Sequence, residues 1–414
     1  MVKIEPGGAS KQWLVIGVVG LGTALSLWGD TSLYTVLPTH TADAAITLAA
    51  VGVMLSANRW VRLLSNGPAG WLCDRWPRRW LFVPALFLGA LSTAIYGFTQ
   101  GYWPLLIGRL LWGIAWSGIW VTGNAIILDL ATSQNRGRLV GLYNVAFFMG
   151  AGTGSFIGGW LTDSVGYAAA FRLMATVTLT GAIVAWLLLP ETRGMRSREG
   201  VRKQAGESAA SEARGVRQGE MGSALGLMGV NRLVMAGMFI PTFGLFLQRV
   251  LGESVTINGR LLGITTLTGI GLSLSTLIGT AFVPLAGIVS DRWGERWRTA
   301  AVGLLPGITG FTLLALGPPW MIALALPLNS ATSGSNQGMA TALVGDLAGR
   351  RSGRYLGLLF TMGDLTSAAG PLLVFWLLEQ VDIQLIYLVA GLLLGIMFGV
   401  AAWWSWQYKG RKKA

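Results

Sequence analysis

About twelve runs of mostly apolar residues divide this chain, each roughly 20 residues or longer, the length a helix needs to cross a bilayer core. Cut at charged, Pro- and Gly-marked turns, they fall near 12–36, 44–66, 80–99, 104–128, 139–162, 168–189, 231–251, 261–286, 299–316, 320–345, 355–379 and 383–406. The runs are too long for strands and lack period-two alternation, so a membrane β-barrel is not expected. The composition agrees. With 53% hydrophobic and 12% charged residues in 414, the chain lacks the charged skin that two or three soluble domains would need. The 59 glycines follow no collagen-like period and must sit inside the apolar runs, where small residues let helices approach closely. The expected fold is an all-α polytopic membrane protein of twelve transmembrane helices.

Several chemistries are excluded by residue counts. One cysteine (Cys73) and one histidine (His40) leave no disulfide framework, zinc cluster, Cys-His dyad or Ser-His-Asp triad. No lysine follows a G-x-x-x-x-G run, so a phosphate loop for ATP is absent and no cofactor or metal is expected. An enzyme is therefore not anticipated.

Basic residues set the expected orientation. With the N-terminus in the cytoplasm, most of the 31 lysines and arginines fall on that side, in the tails, the central loop and the short turns. The exceptions are Arg59, Arg62, Arg109, Arg172, Arg249 and Arg260. This is the positive-inside bias, with both ends cytoplasmic. The net charge of +13 is thus explained by topology and contact with anionic lipid, and no nucleic-acid partner is expected. Lys3 and Lys11 flank a first run too long for the h-region of a cleaved signal peptide, so that run is expected to be a span.

Residues 190–230 form the one long polar stretch, rich in Gly, Ser, Ala, Arg and Glu, and read as a flexible linker or a docking segment. It would separate an N-terminal six-helix half, 1–189, from a C-terminal one, 231–414. An internal repeat supports the division. GWLCDRWPRRW from Gly70 matches GIVSDRWGERW from Gly287, 217 residues on. Asp-Leu-Ala recurs at Asp129 and Asp346, each time followed by Gly-Arg-x-x-Gly, at Gly137 and Gly353. Repeated six-span halves are a hallmark of secondary transporters.

These residues resemble the motifs of the major facilitator superfamily, over essentially the whole chain. Gly70, Leu72, Asp74, Arg75, Arg78 and Arg79 resemble its G-x-L-x-D-R-x-G-R-R loop between the second and third spans, departing at Pro77. Gly287, Asp291, Arg292, Gly294 and Arg296 form the second copy, with Glu295 in place of a basic residue. Arg109 and Gly113 resemble the fourth-span R-x-x-x-G motif. Gly150, Gly154, Gly158 and Gly159 resemble the glycine-rich fifth-span motif of drug:proton antiporters, although glycine there also serves close packing. Pro190 to Gly194 resembles the PET[RK]G ending of a sixth span. The resemblance implies two pseudo-symmetric halves, and a gating role for Gly70, Asp74, Arg75, Arg78, Arg79, Gly287, Asp291 and Arg292. In that role Asp74 and Asp291 tie the halves together on the cytoplasmic side.

Ionisable residues within spans are costly and so are functional candidates. Asp30, Arg59, Arg62, Arg109 and Asp364 qualify. Arg59 and Arg62 share a helix face with Asn66 one turn further on. They lie roughly 22 and 18 Å along the axis from Asp74, and Asp30 roughly 12 Å from the outer end of its span. Asp30, Arg59 and Arg109 therefore share a depth, and an Asp30–Arg59 pair is expected, whether for exchange with substrate or for packing alone. Shifting by the repeat gives Asp30, Arg59, Arg62 and Asp364 no charged counterpart, which favours a substrate or coupling role over scaffold. Three arginines and two aspartates suit an anionic or zwitterionic solute. Trp112, Trp116 and Trp120, with Asn124 beyond, form either an aromatic wall for an amphipathic solute or a packing stripe.

The expectation is a proton-coupled secondary transporter in a bacterial inner membrane, acting as a monomer among lipids and moving a small organic solute by alternating access. Arg59, Arg62, Arg109, Asn66, Trp116, Trp120 and Asn124 would bind substrate. Asp30 would exchange with it, and Asp364, with no intramembrane cation near it in sequence, would carry the proton. The reverse assignment of the two aspartates stays open. So do a multidrug efflux antiporter and a lipid- or pigment-handling or assembly protein.

Overall fold

The structure is a computed structural model that describes residues 8–132, 134–193, 218–257, 259–348 and 352–413. Lys3, Gly194, most of the central linker, Arg350 and Arg351 lie outside the described residues. Twelve long helices account for almost all of it: α1 (Gly8–Val36), α2 (Leu48–Arg75), α3 (Arg79–Phe98), α4 (Tyr102–Leu130), α5 (Arg136–Val165), α6 (Tyr167–Leu188), α7 (Gln218–Leu251), α8 (Ile264–Trp293), α9 (Arg296–Leu316), α10 (Ile322–Ala348), α11 (Ser352–Leu377) and α12 (Ile383–Lys413). Ten are long and apolar enough to cross a membrane. The other two, α2 and α10, are diluted by Arg59, Arg62 and Asn66, and by Asn329, Ser335 and Asn336.

Three boundaries differ from the sequence reading. Residues 218–230, assigned to the linker, form the first turns of α7, where Met221, Ala224, Leu227 and Met228 make a buried helical stripe. The repeated Gly-x-x-x-Asp-Arg runs are not turns. They are the last turns of α2 and α8, and only the few residues after them bend. The two bends stop their helices differently. Pro77 ends one, having no N–H to continue it, while Gly294 ends the other at φ +64°, a left-handed conformation that favours glycine. The third difference is a short hairpin between α7 and α8, with β1 (Ser254–Ile257) antiparallel to β2 (Arg260–Gly263) and Ile257 paired with Arg260. Gly259, just before β2, adopts φ +76°, a left-handed conformation that such tight turns demand and glycine supplies.

The chain divides into two compact units. The first comprises residues up to Thr47 and Trp60–Ala209, the second Leu48–Arg59 and Ala210–Ala414. Helix α2 is therefore shared, passing from the second unit to the first after Arg59.

In the first unit α1 packs on α5 and α6, and α3 on α4 and α6. The α1–α5 seam is drawn tight by glycine: a Cβ at Gly150, Gly154 or Gly158 would lie 2.5, 2.3 or 2.1 Å from Ala24, Thr31 or Ser32. Its core gathers Val15, Val19, Phe82, Leu86, Trp112, Trp116, Ile119 and Tyr143. In the second unit α9 packs on α10 and α12, α8 on α10, and α7 on α11. Small residues again set the closest approaches, with Gly334 of α10 against Gly279 of α8 and Gly237 of α7 against Gly370 of α11.

Candidate functional site

In the first unit the ionisable residues converge on Arg109. Its guanidinium is fully buried and donates from Nη1 to Asp30 Oδ1 at 2.5 Å, and from Nη2 to the Tyr34 hydroxyl at 3.4 Å. Tyr34 follows Asp30 by one turn of α1, so both present to α4 from one face. Tyr96 of α3, fully buried, interacts electrostatically with the same arginine and accepts a hydrogen bond from Ser92 at 3.0 Å. Gly108 makes room for it, since a Cβ there would lie 2.6 Å from the Tyr96 ring. Depth alone pairs Asp30 with Arg59. Within this unit Asp30 pairs with Arg109, because the rotation of α1 and α4, which depth does not report, turns those two side chains together. Burying a guanidinium costs several kcal/mol, which only a close, hydrogen-bonded partner offsets.

Below that pair runs an aromatic ladder. Trp112, Trp116, Trp120 and Tyr143 follow one another at centroid spacings of 5.8, 5.6 and 5.6 Å, with Phe147 against Trp116 and Trp120. Trp112 and Trp116 are buried in the core, and Trp120 is partly open at its edge. Asn124 turns back onto the Trp120 carbonyl at 2.8 Å. Asn66 accepts from Ser117 of α4 at 2.8 Å, and Ser65 meets the same hydroxyl at 2.7 Å. Arg62 lies half-buried one turn before them on α2.

Arg59 belongs to the second unit. Its Nη1 donates to the carbonyl of Ala236 on α7 at 3.0 Å and to that of Ser367 on α11 at 2.5 Å. Ala236 lies in a π-helical stretch, Leu233–Phe239, where Ile240 N–H reaches back five residues to Met235. Such wide turns release carbonyls from the regular ladder and recur at functional sites. Ser367 bonds back to the Asp364 carbonyl at 3.1 Å, placing that acid one turn from the arginine contact. Asp364 has no intramembrane cation near it in sequence, and the fold brings the Arg59 contact to within one turn of it. A second cation escapes the sequence reading as well: Arg232, counted there among cytoplasmic charges, lies in the interior of α7, and its Cγ is 3.3 Å from where a Cβ of Gly363 would be. The unbroken apolar stripe from Met221 onward is the available signal that α7 begins early enough to carry Arg232 inward.

The repeated motifs meet each other within each half. Arg78 pairs with Asp129 at 3.1 Å in the first, and Arg296 with Asp346 at 3.1 Å in the second. The first pair is buried and the second partly exposed. Burial alone would lower the Arg78 pKa, but hydrogen bonds to Asp129 and Cys73 outweigh it and hold the group above the ordinary arginine value. Glu191, from the Pro-Glu-Thr-Arg run, caps α3 by accepting from the backbone N–H groups of Arg78 and Arg79 at 2.9 and 3.1 Å. Arg193 donates to the carbonyls of Asp74 and Arg75. Arg75 stacks over Trp71, and Arg79 reaches the Trp186 carbonyl. The Asp74 side chain is exposed, as is Arg292, while Asp291 pairs with Arg296 of its own half at 2.6 Å. A Cβ on Gly70 or Gly287 would meet nothing within 4 Å.

Two half-length copies built on one plan, each with its loop arginine on the aspartate of the other motif, can be compared directly with known families. The sequence profile of the Major Facilitator Superfamily matches residues 19–275 and 234–414. The chain belongs to that superfamily. Among curated members, it is 30% identical over 143 residues to a probable 4-methylmuconolactone transporter of Cupriavidus pinatubonensis, covering 34% of this chain and 33% of that one. It is 26% identical over 337 residues to the class C tetracycline resistance protein of Escherichia coli, covering 78% of each. Several of the curated relatives are matched over less than half of their own length. Among solved structures of the superfamily, a bacterial homolog of the human lysosomal transporter Spinster superposes with a TM-score of 0.76 at 16% identity, over 97% of this chain and 98% of that one. That likeness shows the superfamily fold.

Proposed function

We propose that this superfamily member is a proton-coupled secondary transporter of the bacterial cytoplasmic membrane. It carries a small organic solute by alternating access, as a monomer with both termini in the cytoplasm. The Asp30–Arg109 pair is the observation that carries the coupling. The arginine is sealed in the core, whereas the Asp30 side chain retains 14% of its exposure and so can meet a proton. A proton on Asp30 replaces a charge-assisted contact with a neutral one, and Arg109 must then take another anion or rearrange. Proton arrival is thereby linked to solute binding or to movement of α1 against α4. Asp30 is accordingly the proton carrier, and Asp364, close to cationic side chains, serves the solute. Arg59, Arg62 and Arg109, with Asn66, Trp120 and Asn124, offer polar and aromatic contacts to it, while Trp116 backs them from the core. Asp74 and Asp291, with the glycines and arginines around them, serve gating.

The tetracycline resistance protein, similar over 78% of its length, supports a second reading, efflux of a lipophilic drug. Reconstituted protein distinguishes the two. Under an imposed proton gradient the expected result is movement of an organic anion, with proton flux that Asp30→Asn abolishes. Drug movement alone would favour efflux, and no movement of either would overturn transport.

A further inference from the structure

The second unit brings three ionisable residues from three helices to one level, and the register of α7 against α11 fixes them there. Gly229 faces Met362 and Thr366, Gly363 faces Met228 and Arg232, and Gly237 faces Gly370. These contacts advance together along both helices, so α7 and α11 run side by side with Arg232 level with Gly363. On α11 the single turn from Gly363 to Ser367 therefore receives Arg232 at its start and the guanidinium of Arg59 at its end. Asp364 lies on that turn. All three side chains are half-buried, within the helical bundle but not sealed in the core.

Chemistry selects the ligand. Two guanidinium groups and one carboxylate leave a single positive charge, which a monoanion balances and a cation opposes. A planar carboxylate matches the fork of an arginine with two parallel hydrogen bonds. Arg59 is held in place by two backbone carbonyls, one of them in the π-helical stretch, and carbonyl contacts leave its formal charge unchanged. Arg232 approaches along a glycine, and a larger residue at Gly363 would push it away.

The geometry points to a carboxylate-binding site on α2, α7 and α11, in which Arg232 and Arg59 receive a small organic monocarboxylate and Asp364 is the internal anion it displaces. The site rests on the transport reading and names its solute class; its test needs no gradient, so either can fail without the other. Benzoate serves as the probe, with tetraphenylphosphonium as a cation of aromatic character. Each is titrated into the full-length protein in lipid nanodiscs and followed by thermal shift and tryptophan fluorescence. Benzoate should raise the melting midpoint of the unaltered protein, and tetraphenylphosphonium should not. Arg232→Gln should weaken benzoate at least tenfold and Arg232→Lys should recover part of the loss. Asp364→Asn, which removes the competing anion, should tighten it several-fold. Because Arg232→Gln alone could unsettle α7, Asp364→Asn keeps the test independent: tightening there supports the site. Benzoate binding unaffected by Arg232→Gln, weakened by Asp364→Asn, or absent from the unaltered protein overturns it.

Discussion

Where α3 meets α4, a tryptophan lies against a glycine; where α9 meets α10, an asparagine does. Trp112 and Asn329 occupy the same place in the repeat, 217 residues apart. Trp112 is buried against Gly89 and begins the ladder through Trp116 and Trp120. Asn329 is buried against Gly310, and neither its Oδ1 nor its Nδ2 has a hydrogen-bond partner among the described residues. Thr332 and Asn336 continue its face toward Gly307 and Gly303. One backbone plan thus carries two interiors. In the first half this seam is filled with aromatic bulk running on from the Asp30–Arg109 pair. In the second half the α9–α10 seam is packed through small and amide side chains, with the Asn329 amide left over. A buried amide without a partner costs about 1–3 kcal/mol, so the α9–α10 seam is built at some expense in stability.

The two interiors should differ most under substitution at this shared position. Trp112→Ala should destabilise the protein by about 3–5 kcal/mol, by removing a large core side chain. Asn329→Leu, at the equivalent position, should be neutral or stabilising. Thermal melts in detergent would show both, and equal losses would mean that the interiors do not differ. Next comes the ion pair. Asp30→Ala leaves Arg109 buried beside an empty place and should cost about 3–5 kcal/mol, whereas Asp30→Leu with Arg109→Leu should recover most of that stability while transport is lost. A double variant as unstable as the single one would assign the pair to structure. The smallest difference is expected between the motif pairs. A double-mutant cycle on the buried Arg78–Asp129 pair should give a coupling of about 1–3 kcal/mol, against less than about 1 kcal/mol for the exposed Arg296–Asp346 pair. Similar couplings would show that exposure does not separate the two copies.

Much of this is legible in the sequence, and what is hidden has a physical reason. Long apolar runs betray helices, and the doubled Gly-x-x-x-Asp-Arg and Asp-Leu-Ala motifs betray the halves, because a repeat needs no knowledge of packing. Residue counting along a span gives depth, which is why Asp30, Arg59 and Arg109 stand out together. It does not give helix rotation, so it does not single out the contact of Asp30 with Arg109. Arg232 is hidden by the boundary of α7: the polar run ahead of it reads as linker, and the apolar stripe of Met221, Ala224 and Leu227 at its end is outweighed by the polar residues before it. The hairpin after α7 has the Asn258-Gly259 signal, overshadowed by the long helices around it. That Arg59 joins the second unit while Arg62 joins the first depends on where α2 changes neighbours, which no local pattern records.

The central claim is that the two halves divide the labour, with Asp30 coupling to protons and Asp364 attending to the solute. Proteoliposomes carrying Asp30→Asn or Asp364→Asn, assayed for solute accumulation under a proton gradient and for solute exchange at equilibrium, test it most directly. The predicted result is that Asp30→Asn loses accumulation and keeps exchange, and that Asp364→Asn still accumulates solute with an altered half-saturating concentration. Accumulation retained by Asp30→Asn and lost by Asp364→Asn, with exchange preserved in both, would contradict it.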